Sequence, residues 1–190
     1  MSIDVFYEST PNPQSMKFVY TQQIANESAQ FQSQADAARS PLAQKLFGFP
    51  WAKEVFIGPY FVTITKQEWV DWEMIADPLA NLLKEHIENE EPVFIQLETA
   101  SPTQSSTYDV SEDDSPMVQK IKHVLNTEVR PAVAMDGGDI VFQDYKDGVV
   151  YLNMLGACSG CPSSTMTLKQ GVESRLRAVV PEIKEVVQVL

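Results

Sequence analysis

The sequence of 190 residues has only two cysteines and no long apolar run. A transmembrane helix needs about 20 consecutive apolar residues, so we do not expect a membrane-spanning protein or a membrane partner. With so few cysteines the chain is not a disulfide-rich secreted scaffold. Its composition, 44% hydrophobic and 21% charged, is that of a soluble globular protein with one ordinary domain or two small ones.

The N-terminus lacks the features of a targeting segment. Residues 1–8 have no basic start, no apolar core and an early acid, Asp4, and are typical of the first strand of a fold. The absence of a signal favours a cytoplasmic location.

Positive charge is scarce and unevenly distributed. Lys and Arg number 14 against 26 Asp and Glu, a formal net charge of −12. Residues 1–115 hold 6 of the basic and 18 of the acidic residues, whereas 116–190 hold 8 of each. The whole excess of acid therefore lies in the first part and in the segment that joins it to the second. A field of that sign repels phosphate backbones, so we do not expect nucleic acid as a partner.

A segment nearly free of aliphatic residues divides the chain. Residues 99–115, TASPTQSSTYDVSEDDS, are rich in Ser, Thr and Asp and cannot bury enough apolar surface to become ordered. They predict a flexible acidic linker between a domain over 1–98 and a domain over 116–190. The first domain has no Cys, no phosphate-binding loop and no pair of residues that can be assigned to catalysis.

Apolar alternation, helical spacing and turn residues predict an α+β fold for both parts. In the first part they predict strands over 3–8, 16–21, 55–58 and 60–66, a helix opened by Ser40-Pro41, and a helix from Asp71 or Asp77. In the second part they predict the order α-β-β-α-β: a helix from 117 that stops near Arg130-Pro131, strands over 139–145 and 149–155, a helix capped by Ser163 or Ser164 and ended by Pro181, and a last strand over 183–189.

The two cysteines form one Cys-x-x-Cys, Cys158 and Cys161, between the end of a strand and the start of a helix. Thiolates bind metals, and a helix N-terminus stabilises their negative charge. Gly160 gives the loop the flexibility to turn both sulfurs toward the same metal ion or cluster, and Pro162 suits the first helical turn. Cys158 and Cys161 are therefore candidate ligands of a metal ion or an iron–sulfur cluster.

Two thiolates do not complete such a site, because tetrahedral zinc and iron–sulfur clusters generally take four protein ligands. His86 lies in the other domain and His123 on a predicted helix, so a core or surface role is expected for each. A second copy of the chain on a two-fold axis supplies both cysteines again. Three alternatives stay open: a thioredoxin-like redox dithiol, a structural zinc site between two chains, and inert cysteines.

Motifs beyond the two cysteines resemble a known family. They are MDGGD at 135–139, LGACSGCPSS at 155–164, TL at 167–168 and GVE at 171–173, and in the first part TPNP at 10–13, KF at 17–18, SPLA at 40–43, VFIG at 55–58 and VTITK at 62–66. The later group resembles the C-terminal domain of NifU-like proteins. The earlier group resembles the N-terminal domain of Nfu-type proteins.

This resemblance implies that Cys158 and Cys161 bind one 4Fe–4S cluster between the two protomers of a homodimer. It implies a carrier rather than an enzyme, which takes the cluster from an upstream assembly scaffold and passes it to apo iron–sulfur proteins. A 2Fe–2S form at some stage is left open. The segment 136–138 is expected to be a structural turn near the site rather than a ligand.

One departure from the family affects the expected role. Full-length NifU proteins begin with a cysteine-bearing scaffold domain and a ferredoxin-like segment, and this sequence has neither. Carrying clusters is therefore expected, rather than building them from iron and sulfide. The acidic N-terminal domain is expected to select clients.

Overall fold

The computed structural model describes residues 3–95, 114–159 and 162–189, with the backbone alone over 162–168. The chain divides into two compact units, Met1–Ser105 and Ser106–Leu190. Both units combine helices with a sheet, so the predicted α+β class is confirmed. Most of the predicted linker, 99–113, lies outside the described residues, and its flexibility stays a prediction.

The first unit is built on a five-stranded antiparallel sheet. Its strands are β1 (Val5–Ser9), β2 (Ser15–Tyr20), β3 (Ala29–Phe31), β4 (Ala52–Ile57) and β5 (Phe61–Lys66), in the order β1-β2-β5-β4-β3. A short 3-10 helix, Asp36–Arg39, precedes α1 (Pro41–Phe47), and α2 spans Trp72–Glu88. The four predicted strands and both predicted helices are present, and β3 was not predicted.

The helices of the first unit pack on the sheet through residues with almost no exposed surface. Val62 and Ile64 alternate along β5 and share one apolar core with Leu46 of α1 and Leu83 of α2. The predicted start of α1 is confirmed, because the Ser40 hydroxyl accepts a hydrogen bond from the Ala43 N–H at 3.1 Å.

The second unit contains a three-stranded sheet and three α-helices. Its elements are α3 (Pro116–Val124), a π-helical segment (Leu125–Val129), α4 (Arg130–Met135), β6 (Gly138–Lys146), β7 (Val149–Gly156), α5 (Pro162–Val179) and β8 (Glu185–Gln188). The sheet order is β6-β7-β8, with β6 antiparallel and β8 parallel to β7. The predicted order α-β-β-α-β is confirmed, with a first helix made of three segments.

The prediction that the first helix stops near Arg130-Pro131 is wrong, because helical backbone continues to Met135. Proline in a regular α-helix clashes with the carbonyl four residues earlier. Here the wider π-helical turn over Leu125–Val129 comes first, and Pro131 falls in the first turn of α4, where no N–H donor is needed. The extra turn leads directly into the residues before β6.

A core lies between the sheet and the helices of the second unit. Alternate residues of β7, among them Leu152 and Met154, pack with Ile140 of β6 and Leu176 of α5. Asp147 and Gly148 close the β6–β7 hairpin with φ of 54° and 88°, the left-handed conformations of a two-residue turn. No helix in the part of the chain that the structure describes is long and apolar enough to cross a membrane.

Candidate functional site

Cys158 lies in the tight turn that follows β7. Its side chain is only 4% exposed and belongs to the core of the second unit. The backbone N–H and the hydroxyl of Ser159 both donate to the Gly156 carbonyl, at 3.1 and 2.9 Å. These bonds hold the turn closed around the cysteine, at the end of a strand as predicted.

Cys161, the other predicted ligand, lies outside the described residues. The described backbone resumes at Pro162, where α5 begins. The predicted position of the motif between a strand and a helix therefore agrees with the elements on either side of it.

The first residue of β6 packs directly against the Cys158 thiol. Gly138 pairs with Gly156 across the sheet. A Cβ atom built on Gly138 lies 2.8 Å from Cys158 Sγ and 2.5 Å from the Leu155 carbonyl oxygen, and real Cβ atoms essentially never show contacts under 3.0 Å. Glycine is thus required at position 138 because no larger residue leaves room for the sulfur.

The turn before β6 is bonded to the cysteine turn. The Ala157 N–H donates to the Gly137 carbonyl at 3.1 Å, which joins the two segments immediately before Cys158. Gly137 has a φ of 80°, a left-handed conformation that glycine adopts without steric cost. The segment 136–138 was expected to be a structural turn near the site, and the structure places it beside Cys158.

A partly buried ion pair holds the start of β6 to the helix before it. The Arg130 Nε and Nη2 atoms donate to the two Asp139 carboxylate oxygens at 2.8 and 2.7 Å, and Asp139 is 6% exposed. The same carboxylate accepts the Ile140 N–H at 2.8 Å. Bidentate Arg–carboxylate pairs fix orientation as well as distance. Asp139 follows Gly138, so this pair positions the strand that supports the Cys158 sulfur.

Sequence reasoning missed this ion pair and the contact between Gly138 and Cys158. The available signal was an Arg next to a proline and an Asp directly after two glycines. The expected helix end at Arg130 placed that side chain in a loop. In the structure the helix continues past Arg130, and this places the Arg130 side chain beside Asp139.

Among the described residues, no group of three or more His, Cys, Asp or Glu side chains could hold a metal ion. His86 is buried in the first unit, where its Nδ1 atom lies 3.3 Å from Glu91 Oε2 and burial lowers its pKa. His123 is on α3, away from the buried core. The structure therefore gives each histidine a core or a surface position, as expected.

Two family descriptions match the chain. Residues 5–90 match "Scaffold protein Nfu/NifU N terminal", and residues 121–187 match "NifU-like domain". The second match contains all the residues of the site described above. A solution NMR structure of a NifU-like protein from Saccharomyces cerevisiae is 28% identical, with a TM-score of 0.44 over 50% of this chain and 87% of that chain.

Curated relatives align with nearly the whole sequence. The NFU1 iron-sulfur cluster scaffold homolog, mitochondrial, of Homo sapiens is 37% identical over 96% of this chain and 70% of its own length. The protein of the same name in Drosophila sechellia is 40% identical over 96% of this chain and 63% of its own. NifU-like protein 4, mitochondrial, of Arabidopsis thaliana is 39% identical over 95% of this chain and 64% of its own. The chain thus spans less than two thirds of the last two relatives.

The names of these relatives correct one expectation from the sequence. All three are named mitochondrial, so the prediction of a cytoplasmic location is wrong. The prediction depended on the lack of a targeting pattern in residues 1–8. Targeting segments are removed from mature proteins, so that lack does not identify a compartment.

Proposed function

This chain belongs to the Nfu family of NifU-like proteins, and on that premise we propose that it is a non-enzymatic carrier of iron–sulfur clusters. Its relatives are named iron–sulfur cluster scaffolds. The cargo is one 4Fe–4S cluster held between two copies of the chain by Cys158 and Cys161 of each. The cluster is received from an upstream assembly scaffold and is handed to apo iron–sulfur proteins.

The observation that carries this proposal is the rigid support beneath Cys158. The thiol rests on Gly138, the preceding Ala157 is bonded to Gly137, and the Arg130–Asp139 ion pair fixes the strand that contains the glycine. Functional sites require side chains held within about 0.5 Å of their working geometry, and supporting residues supply that precision.

The number of thiolates supports a site shared by two chains. Each chain has two cysteines, and clusters of this type take four cysteine ligands. A two-fold axis beside the Cys158 turn brings four thiolates together from two identical surfaces. The start of α5 follows Cys161 directly, and its first N–H groups favour the negative charge of a thiolate-ligated cluster.

The first unit serves client selection in this proposal. It has its own sheet and core, and residues 1–115 hold all the excess negative charge of the chain. A domain over 1–98 then engages the client while the domain over 116–190 presents the cluster, with 99–115 as the flexible connection. Deletion of 1–98 leaves cluster binding intact and slows transfer to particular clients. Equal transfer rates to every client tested would contradict this division.

Anaerobic reconstitution with ferrous iron and sulfide tests the central claim. We expect a brown protein with four irons and four sulfides per two chains, and a dimer by light scattering. The iron-to-chain ratio separates this result from a 2Fe–2S cluster. Cys158→Ser and Cys161→Ser should each abolish both colour and metal-dependent dimerisation, because each removes two of the four thiolates. A variant dimer that still holds a full cluster would disprove the ligand assignment.

Two other results would replace the carrier with a different function. A colourless monomer that takes up no metal and reduces disulfides indicates a dithiol oxidoreductase. A colourless dimer with one zinc per two chains and no release to acceptors indicates a structural zinc site.

The loaded protein should also activate a purified apo-enzyme that needs a 4Fe–4S cluster. Activation that persists in the presence of EDTA distinguishes direct transfer from iron released into solution.

A further inference from the structure

Two lysines of the first unit have no carboxylate partner among the residues that the structure describes, although the domain is acidic. Residues 3–95 contain six Lys and Arg against 13 Asp and Glu. Four of the six cations form ion pairs, which are Lys17–Glu8, Arg39–Glu27, Lys45–Glu91 and Lys84–Asp4. Lys53 and Lys66 form none with any residue that the structure describes.

Both of these lysines line the same groove. It has a volume of about 390 Å³, and its remaining lining residues are Gln14, Gln67, Glu68 and Trp69. Lys53, Glu68 and Trp69 are exposed, with Trp69 68% exposed, so the groove opens to solvent. Lys66, at the end of β5, forms its inner wall and is only 6% exposed.

The partners of the Lys66 ammonium are all uncharged. Its Nζ atom donates to Gln14 Oε1 at 3.1 Å and, more weakly, to the Gln67 carbonyl at 3.5 Å, and it lies 5.8 Å from the centre of the Trp72 ring. A buried charge is costly unless an opposite charge or several hydrogen bonds compensate it. An anion in the groove would complete the environment of this lysine.

We propose that this groove binds a carboxylate of a partner peptide, with Lys66 and Lys53 on the carboxylate and Trp69 against a neighbouring apolar or aromatic side chain. The two ammonium groups and the Gln14 and Gln67 amides supply charge and hydrogen-bond donors. The exposed indole supplies a flat apolar wall.

The charges around the groove select a ligand with a single negative charge. Glu68 lines the groove, and 3–95 carry 13 acids against six bases, so the surrounding field repels phosphate groups and polyanions. A peptide is favoured over a free small anion. An open groove covers little of the surface of a small anion, whereas a peptide can gain affinity by placing an apolar side chain against Trp69. A peptide with a C-terminal carboxylate and an aromatic last residue satisfies both conditions.

This inference extends the proposed function, since a peptide of a client or of a cluster donor is the ligand that a carrier needs to recognise. The binding itself requires no cluster. It can therefore be measured on the full-length apo protein, and the two proposals can fail separately.

The test is an NMR titration of the full-length apo protein with acetyl-Ala-Ala-Phe carrying a free C-terminal carboxylate. We expect saturable shifts of the Trp69 indole N–H signal, assigned by its loss in Trp69→Phe, and of the Lys66 side-chain signals. The same peptide with a C-terminal amide should bind at least about tenfold more weakly, because it keeps the aromatic group and loses the charge. Inorganic phosphate should give no saturable shift.

Charge-reversal variants supply the matched controls. Lys53→Glu, an exposed position, should weaken peptide binding at least about tenfold. Lys84→Glu makes the same charge change on α2, at a residue outside the groove, and should change binding less than about twofold. Lys66→Met should also abolish binding, and its folding is checked by the dispersion of the amide spectrum.

Several outcomes would overturn the proposal. They are equal binding of the acid and amide peptides, equal effects of Lys53→Glu and Lys84→Glu, phosphate binding as tight as the peptide, or no saturable response at all. Lys53→Glu should still load a full cluster in anaerobic reconstitution. Because cluster loading and peptide binding are measured separately, each can be lost without the other. A failed peptide test would contradict only the groove proposal, and a failed reconstitution would contradict only the carrier proposal.

Discussion

Gly138→Ala is the substitution that most directly tests the support beneath Cys158. The added methyl group lies 2.8 Å from Cys158 Sγ and 2.5 Å from the Leu155 carbonyl oxygen. An ordinary carbon contact is about 3.5–4.0 Å, so the sulfur must move by about 0.7–1.2 Å if the alanine stays in place. The carbonyl belongs to β7 and cannot turn away as a flexible side chain can.

This clash has two expected consequences, one for stability and one for cluster binding. Overpacking in a filled core costs about 1–3 kcal/mol, which lowers the urea midpoint of the second unit by about 1 M. Displacement of one thiolate by more than about 0.5 Å exceeds the tolerance of a functional site. Loss of comparable supporting residues at metal sites costs about 10–100-fold in affinity, and we expect a loss of that size in cluster retention.

The assay combines urea unfolding of the apo protein with iron analysis after reconstitution. The three tryptophans of the chain, Trp51, Trp69 and Trp72, all lie in the first unit. Tryptophan fluorescence therefore follows the first unit alone and should be unchanged, while methyl NMR signals of the second unit report the shifted transition.

Gly171→Ala is the matched control for the same change of residue. A Cβ built at Gly171, in α5, meets nothing within 4 Å apart from its chain neighbours and the adjacent backbone of its own helix. The substitution should stabilise the second unit by about 0.5–1 kcal/mol through helix propensity and leave cluster binding unchanged. If Gly138→Ala matched the wild-type midpoint and iron content, the argument for the glycine would be refuted. A lowered midpoint with full iron content would refute its positioning role alone.

Three further predictions concern buried groups. Asp139→Asn removes the charge that pairs with Arg130 and should cost about 1–3 kcal/mol in thermal or urea unfolding of the second unit, because Arg130 is partly exposed and keeps its bond to Asn126. Asp144→Asn, exposed on the same strand, should change stability by less than about 0.5 kcal/mol. Burial lowers the pKa of His86 from 6.5, so the unfolded chain binds the proton more tightly. The free energy of unfolding of the first unit should then fall as the pH drops below about 6.5, and His86→Gln should flatten that fall in fluorescence-monitored urea titrations. The apo Cys161→Ser variant leaves Cys158 as the one thiol of the chain. Because Cys158 is only 4% exposed, it should react with iodoacetamide at least about tenfold more slowly in the folded variant than in the urea-unfolded chain. Equal rates would show that the turn opens freely.

Elements with a strong local pattern could be predicted from the sequence. The alternation in β5 and β7 sets which side chains enter the core, and Ser40-Pro41 and Asp147-Gly148 are local signals for a helix start and a hairpin turn. The three-residue strand β3 gives no such signal. It is a strand because β4 pairs with it, and no property of Ala29–Phe31 alone shows that partner.

The candidate site was predictable only in part, for a physical reason. Cys158 could be found because thiolates are rare in this sequence and have few chemical uses in a Cys-x-x-Cys. The need for glycine at 138 arises from a contact with a residue 20 positions later, and sequence patterns do not record such distances. The burial of Lys66 is of the same kind, because Gln14 and Trp72 reach it from separate segments.

The distribution of charge bears on which part of the chain would form the proposed dimer. A cluster held by four thiolates is anionic, and a two-fold interface brings identical charges of both protomers close together. Residues 116–190 are balanced, with 8 acidic and 8 basic residues, so their self-association carries little net repulsion. The first units, each with 14 acidic and 6 basic residues, repel each other over about one Debye length, about 8 Å at physiological salt. Higher ionic strength should therefore favour the proposed loaded dimer of the full chain. The association of residues 116–190 alone should depend little on ionic strength, because that segment has no net charge.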